Sequence, residues 1–191
     1  MGCRFLDTGA MYRAVAYAYA RQRPADLDAF LAGLSLSFSF DATTAVSFNG
    51  ENISEKIRTP EIALLASSLS QDPRVRAYLT RMQRRAGETG GIVAEGRDTG
   101  SVVFPDADIK FYLDADIAER AKRRHAELAA DDPHEDIGRV REEMERRDRA
   151  DSERDIAPLV RPKDAWYVDT TGKTIDEAVD VLKAQVDKAP K

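Results

Sequence analysis

Apolar residues spaced three and four apart alternate along the chain with short apolar runs, and this alternation predicts helices between strands. Arg4 to Asp7 is typical of a short strand end, followed by an Ala-rich helix from about Gly9 to Gln22 with Thr8 near its N-cap. Three more strands are predicted, at Ile92-Val93-Ala94, Ile109–Leu113 and Trp166–Asp169. We expect the first two of these to be buried. Strands that alternate with helices indicate an α/β fold with a mostly parallel sheet.

Helix-start signals place the remaining helices. We expect them at about 26–32, 60–70, 73–87 and 135–149, with one beginning at Asp116 and a last one capped by Thr174. The helix from Asp116 should break at Asp131-Asp132-Pro133. The last helix should turn one face inward, formed by Ile175, Val179, Leu182 and Val186.

Two runs with a period of two stand apart from this pattern. Leu34 to Phe40 and Ala45 to Phe48 alternate apolar and polar residues, and Asn49-Gly50 follows with turn chemistry. These runs predict a small antiparallel insertion.

Length, composition and charge narrow the possible classes of protein. With 191 residues, of which 42% are hydrophobic, the chain can bury the core of one domain with a small insertion. A net charge of -5 argues against non-specific binding of nucleic acid. Cys3 is the only cysteine, which excludes an intramolecular disulfide and fits a reducing cytoplasm. No apolar run is long enough to predict a membrane span.

The segment from Gly96 to Gly100 carries the first candidate chemistry. Arg97 and Asp98 stand between the two glycines directly after a predicted strand, so both charges fall at a strand end. Ligands of open α/β sheets bind at that edge, and Arg there typically holds a phosphate or carboxylate with two hydrogen bonds. The loop therefore predicts an anionic ligand. A surface turn with a local Arg–Asp pair is the alternative.

A second candidate is the predicted strand-to-helix turn at Asp7 and Thr8, with Arg13 in the first turns of the helix. Helix N-termini favour anions through their exposed N–H groups and the helix dipole. The alternative is ordinary capping by Thr8 with a surface Arg13.

Arg147, Asp151 and Arg154 are four and three residues apart, so on a continuing helix they share one face that could close over a ligand. Residues 139–154 hold six basic and six acidic side chains, and the pattern alone favours a solvated face. Ser67 and Arg76, taken singly, are typical of structural positions.

Two other signals do not carry chemistry. Thr171-Gly172-Lys173-Thr174 ends like a P-loop, but that motif requires glycine where Tyr167 stands, so we predict a helix cap. His125 and His134 lack the spacing of metal ligands, and we expect no metal cage.

Five segments, in order along essentially all of the chain, closely resemble bacterial cytidylate kinases. They are Leu6–Arg13, Lys56–Glu61, Pro73–Arg76, Glu95–Pro105 and Arg147–Leu159. The resemblance implies the P-loop nucleoside monophosphate kinase fold, a parallel sheet flanked by helices. It also implies one kinase-like domain over residues 1–191, with an acceptor-binding insertion at 34–87 and a helical lid at 131–157. The implied reaction moves the γ-phosphoryl group of ATP, with Mg²⁺, onto CMP or dCMP.

The resemblance also implies roles for single residues. Arg13, Arg97 and Arg154 would hold the acceptor phosphate, and Arg147 and Asp151 would reach its sugar. Asp7 and Thr8 belong to the same acceptor site. Arg97, Asp98 and Arg154 are the residues expected to act in catalysis.

Base recognition and the lid complete the implied set. Ser67, Arg76 and Asp98 would read the base, because cytosine offers an amino donor that uracil lacks, and uracil would set a carbonyl against a buried carboxylate. Arg120 and Arg124 would be lid cations for the ATP phosphates.

The chain departs from the family at one point. The family begins with a strand, a glycine-rich P-loop ending in Gly-Lys and a helix, and no residues here match them. We therefore expect unpaired inner edges of the sheet and negligible turnover by these 191 residues alone. Our hypothesis is an N-terminally shortened form of a longer enzyme.

Two other functions stay open at this stage. The chain could be a non-catalytic relative that binds a nucleoside monophosphate or a partner protein, or a kinase for UMP or another small acceptor. We expect a cytoplasmic monomer that binds neither nucleic acid nor membranes.

Overall fold

A computed structural model describes residues 2–129 and 135–188. The chain divides into two compact units, Met1–Thr99 and Gly100–Lys191, each with its own strands and helices. The prediction of one kinase-like domain with an insertion at 34–87 and a lid at 131–157 stays a prediction.

The first unit contains a pair of parallel strands, a small antiparallel sheet and four helices among its described residues. In chain order these are β1 Arg4–Asp7, α1 Thr8–Gln22, α2 Leu27–Ala32, β2 Leu36–Phe40, β3 Thr44–Phe48, β4 Glu51–Asn52, α3 Pro60–Leu69, α4 Pro73–Gly87 and β5 Ile92–Glu95. β1 pairs with β5 in parallel, with Asp7 opposite Glu95. Both strands therefore end at the same edge.

The predicted antiparallel insertion is confirmed, in the strand order β2, β3, β4. Asn49 and Gly50 join β3 to β4 with φ angles of 50° and 80°. This two-residue turn needs positive φ at both positions, which is the reason for the Asn-Gly sequence. The two-residue strand β4 was not predicted.

The second unit follows a π-helical segment, Thr99–Val103. Its other elements are β6 Phe111–Asp114, α5 Ile117–Leu128, α6 Ile137–Glu153, β7 Trp166–Asp169 and α7 Ile175–Val186. β6 and β7 are parallel, with Phe111 opposite Trp166. Each unit thus contains one pair of hydrogen-bonded parallel strands among its described residues.

Most helix starts lie where capping chemistry predicts them. Side chains of Asp26, Thr59, Asp72, Asp116 and Thr174 accept hydrogen bonds from the first turns of their helices. α6 continues to Glu153, beyond the predicted end near residue 149. The predicted break at Asp131-Asp132-Pro133 lies outside the described residues.

The core of the first unit forms around α1. Leu6, Met11 and Val15 are fully buried there, together with Leu79 of α4. Alanines at positions 10, 14 and 18 are buried as well, and their small side chains let α1 pack closely against α3 and β3.

The predictions of burial for two strands and for the last helix are wrong. Val93 of β5 and Leu113 of β6 are 52% and 56% exposed, so neither strand is buried on both faces. The inward face predicted for α7 is also wrong, because Ile175 is 83% exposed and α7 has no buried residue. Exposure varies even between paired residues, since Val168, the register partner of Leu113, is buried.

Along residues 2–129 and 135–188, no helix combines the length and the apolar character that crossing a membrane requires.

Thr44 joins the antiparallel sheet to β1. Its buried hydroxyl donates to the Phe5 carbonyl at 2.7 Å and accepts from the Asp7 amide at 2.8 Å. The Phe5 amide also donates to the Asp41 carbonyl at 2.9 Å. These contacts fix the last residues of β1.

The replacement Thr44→Val should lower the free energy of unfolding by about 1–3 kcal/mol, because two partly buried backbone groups lose their partner. Urea denaturation of the purified protein measures this change. Its exposed neighbour Thr43 provides the control, since Thr43→Val should change stability by less than about 0.5 kcal/mol. Equal losses in the two variants would contradict the role of the Thr44 hydroxyl.

Candidate functional site

The shared edge of β1 and β5 gathers several of the predicted site residues. β1 passes directly into α1 at Thr8, so the N-terminus of a helix opens beside the carboxylates of Asp7 and Glu95. The residues Gly96, Arg97 and Asp98 follow β5 at the same edge.

Asp7 is held by three hydrogen bonds. Its amide donates to Thr44, its Oδ1 accepts from the Ala10 amide at 2.8 Å, and its Oδ2 pairs with Arg13 Nη2 at 3.1 Å. Asp7 is therefore the N-cap of α1 with Thr8 directly after it, and the alternative in which Thr8 itself caps the helix is wrong.

Thr8 uses its hydroxyl differently. The buried Oγ1 donates to the Glu95 carbonyl at 2.7 Å and so joins the first turn of α1 to the end of β5. A Cβ atom added at Gly96 would lie 2.2 Å from this Oγ1, closer than any real contact. Gly96 has no positive φ, so its glycine is required by close approach rather than by turn geometry.

Arg13 keeps donor capacity beyond its pair with Asp7. Its Nε is buried and has no hydrogen-bond partner among residues 2–129 and 135–188. Buried donors of this kind are rare, because each costs the energy of a lost hydrogen bond. An anion bound at this edge would satisfy it.

Arg76 and Asp98 form a buried ion pair. Nη2 of Arg76 donates to Oδ2 of Asp98, and the two side chains are 5% and 8% exposed. Nη1 of Arg76 donates to the Ser70 carbonyl at 3.1 Å, and the guanidinium lies 5.7 Å from the centre of the Tyr12 ring.

Ser67 belongs to the same network. The Ser70 hydroxyl donates to the Ser67 carbonyl at 2.7 Å, while the Ser70 carbonyl accepts from Arg76. The three residues implied for base recognition, Ser67, Arg76 and Asp98, are thus connected through Ser70. Arg76 is therefore not a surface residue, whereas Ser67 takes part through its backbone carbonyl, and the role of its side chain in base recognition stays a prediction.

Glu95 is a site residue that the sequence analysis missed. Burial among its neighbours raises the pKa of its carboxyl, and the nearby Asp7 charge raises it further, while Arg13 and Arg97 oppose the change. The residue as a whole is exposed, so solvent weakens this effect. Its position at the strand end opposite Asp7 was the available signal.

The second unit contains another buried pair. Arg154 Nη1 lies 3.3 Å from Asp151 Oδ1, with side chains 5% and 7% exposed, and Arg154 Nε donates to the Ala157 carbonyl at 2.6 Å. Asp151 and Arg154 therefore do not lie on a solvated face, whereas Arg147 is exposed. Arg154 has extended backbone geometry just beyond α6, so the predicted shared helical face ends before it.

The two cations implied for the lid are both engaged. Arg120 pairs with Asp148 and donates from Nε to the Ala115 carbonyl at 3.0 Å. Arg124 lies 2.8 Å from Glu127 on the same helix. Residues 131–134 of the predicted lid, including His134, lie outside the described residues.

The structure thus brings the implied residues together in two groups, one in each unit. The first group contains Asp7, Thr8, Arg13, Ser67, Arg76 and Asp98, and the second contains Asp151 and Arg154. Convergence of Arg13, Arg97 and Arg154 on one phosphate stays a prediction. In the part of the chain that the structure describes, no three His, Cys, Asp or Glu residues could hold a metal ion.

A family model described as "Cytidylate kinase" matches residues 1–188 of this sequence. The chain belongs to the cytidylate kinase family. The resemblance stated from the motifs is therefore confirmed, and with it the α/β nucleoside monophosphate kinase fold.

Curated members of the cytidylate kinase family are similar over most of the chain. A cytidylate kinase of Syntrophotalea carbinolica is 47% identical over 92% of this chain and 77% of the relative. One of Citrifermentans bemidjiense is 43% identical over 97% and 82%. A bifunctional pantoate ligase/cytidylate kinase of Synechococcus is 43% identical over 96% of this chain and 39% of that larger protein.

The raised pKa of Glu95 gives a prediction for stability against pH. A group whose pKa rises on folding stabilises the fold fully below its unfolded value, and this contribution is lost as the pH rises through the folded value. Glu95→Gln should therefore gain stability relative to the parent protein as the pH rises from about 4 to 7. Urea denaturation at several pH values measures the difference.

Glu61 provides a control of opposite sign. Hydrogen bonds from its own backbone amide and from Thr59 lower the pKa of its carboxyl. Glu61→Gln should lose relative stability over the same pH range, and identical trends in both variants would contradict the assignment.

Proposed function

We propose that this member of the cytidylate kinase family transfers the γ-phosphoryl group of ATP to CMP or dCMP, giving CDP or dCDP and ADP. The observation that carries the proposal is the buried Arg76–Asp98 pair with its connection to Ser67. The relatives described above, which are named cytidylate kinases, support it independently.

Recognition of cytosine follows from the chemistry of this pair. A carboxylate accepts hydrogen bonds from amino groups, so Asp98 has the chemistry to accept from the cytosine amino group beside its pair with Arg76. Arg76 and Ser67 are donors for the ring acceptors of the base. Because Asp98 is only 6% exposed, a base that reaches it is removed from water as well, and the carbonyl of uracil would face the carboxylate unpaired.

The phosphate of the acceptor would bind Arg13, Arg97 and Arg154. The unpartnered Nε of Arg13 and the nearby start of α1 support this assignment on the side of the first unit. Guanidinium groups suit the task because they hold phosphate oxygens with two parallel hydrogen bonds.

The remaining roles belong to the second unit. Arg147 and Asp151 would contact the sugar, and Arg120 and Arg124 would contact the ATP phosphates. Both of these arginines have carboxylate partners, Asp148 and Glu127, which ATP would replace. Such an exchange suits a segment that closes over a nucleotide and excludes water.

We assign Mg²⁺ to the nucleotide rather than to the chain. Mg²⁺ is commonly held by substrate phosphates, water and one or two carboxylates, and MgATP is accordingly the second substrate. The sequence has no match to the P-loop of the family, so acceptor binding tests the described residues most directly. We propose the reducing cytoplasm as the compartment, which the single Cys3 supports.

Titration calorimetry with CMP, dCMP, UMP and AMP tests the acceptor. We expect CMP and dCMP to bind at least about tenfold more tightly than UMP, since a buried carboxylate penalises the uracil carbonyl. Preference for UMP would indicate a different acceptor. Because negligible turnover is expected of these 191 residues alone, CDP formation from MgATP is measured with a form extended by the family's N-terminal strand, P-loop and helix. CMP binding without CDP formation by that form would favour a non-catalytic binding protein.

The replacements Arg97→Ala and Asp98→Asn should separate phosphate binding from base recognition. Loss of Arg97 should weaken all four monophosphates by a similar factor, about tenfold or more, because it removes a charged hydrogen bond to the group that they share. Asp98→Asn should mainly reduce the ratio of CMP affinity to UMP affinity.

The exposed Arg81→Ala variant controls for the loss of a positive charge from the same unit and should bind CMP like the parent protein. A uniform loss for every nucleotide in Asp98→Asn would remove Asp98 from base recognition. Urea denaturation of each variant separates this effect from lost stability.

A further inference from the structure

We propose that Thr8 is a positioning residue for acceptor recognition, which acts by holding the Glu95–Gly96 peptide so that Arg97 and Asp98 leave β5 in a fixed direction. This inference rests on the proposed function. In this proposal Thr8 does not contact the acceptor itself but acts through the Glu95–Gly96 backbone.

The Thr8 hydroxyl does not cap α1, although residues at the start of a helix commonly do so. Asp7 caps α1, and Thr8 donates instead to the Glu95 carbonyl, 87 residues away in sequence. The residue is 4% exposed, so water competes little for this hydrogen bond.

Because Gly96 has no side chain, Thr8 can approach this segment closely. A Cβ there would lie 2.2 Å from Thr8 Oγ1 and 2.9 Å from Thr99 Cγ2. The Thr8 hydroxyl could give way only by breaking its bond to Glu95. Donor, acceptor and glycine therefore form one latch, defined here as Thr8, Glu95 and Gly96.

Only one peptide unit separates the latch from Arg97, and Asp98 follows directly. Asp98 is fixed from the other side by Arg76 of α4. The two ends of the segment 96–98 are thus anchored to different helices, α1 and α4. A shift at Gly96 would move Asp98 against its buried partner, where small displacements weaken hydrogen bonds strongly.

Thr8→Val removes the hydroxyl while conserving shape, and Thr8→Ser restores it. We expect Thr8→Val to weaken CMP binding about fivefold or more and to lower the ratio of CMP to UMP affinity, with Thr8→Ser within about twofold of the parent protein. A purely structural role would lower stability and leave the ratio unchanged. Gly96→Ala should reproduce the effects of Thr8→Val, because its Cβ displaces the same hydroxyl.

A matched control is Thr174→Val, which removes a hydroxyl from the start of α7 and should leave nucleotide binding unchanged. Amide hydrogen exchange in the nucleotide-free protein gives a second readout. Exchange at Arg97 and Asp98 should be faster in Thr8→Val than in the parent protein or in Thr174→Val.

Unchanged affinity ratio and unchanged exchange in Thr8→Val would overturn the latch, as would a Thr8→Ser variant as weak as Thr8→Val. If the parent protein itself showed no preference for CMP, the proposed function would fall. The exchange rates at Arg97 and Asp98 would then decide the positioning role alone.

Discussion

Arg76 and Asp98 carry opposite charges that are almost wholly removed from water, and this constraint governs the geometry of the first unit. Taking a single charge out of water costs several kcal/mol, about 3–5 when one partner of a buried pair is removed. Arg76 lies on α4, whereas Asp98 follows β5, so the pair can form only when the helix and the strand end are in register. Ser70 and Tyr12 complete the surroundings of the guanidinium.

A charged side chain is also held in a fixed orientation at the edge where β1 ends. Asp7 is fixed by Thr44, by the Ala10 amide and by Arg13, so its carboxylate is oriented before any ligand arrives. Groups that are already in place lose little conformational entropy on binding, which favours both affinity and discrimination. A cytidylate kinase needs such discrimination, because cytosine and uracil have the same size and differ only in hydrogen bonding, at the 4-amino or 4-oxo group and at N3, which accepts in cytosine and donates in uracil.

Local chemistry was predictable from the sequence, and packing was not. The caps at Thr59, Asp72 and Thr174 form within four residues, so each signal and its effect lie in the same short segment. The exposed faces of β5 and α7 could not be predicted, because burial depends on what covers an element rather than on its own pattern. The sequence likewise could not show that Asp7, not Thr8, caps α1.

Among the site residues, too, those with a local sequence signal were predictable and those that depend on distant contacts were not. Arg97 and Asp98 were evident from their glycines and the preceding strand, although Gly96 is required for close approach to Thr8 rather than for a turn. Ser67 and Arg76 were weak candidates singly, since their connection runs through Ser70 and across 22 residues to Asp98. Glu95 was missed because its environment comes from Asp7 on a distant strand.

A crystal structure of the protein with CMP would show whether the carboxylate paired with Arg76 reads the cytosine ring. We expect the cytosine amino nitrogen within about 3 Å of an Asp98 oxygen, with the Arg76–Asp98 pair intact. A cytosine ring bound away from Asp98, or an Asp98 side chain turned from it, would contradict the account.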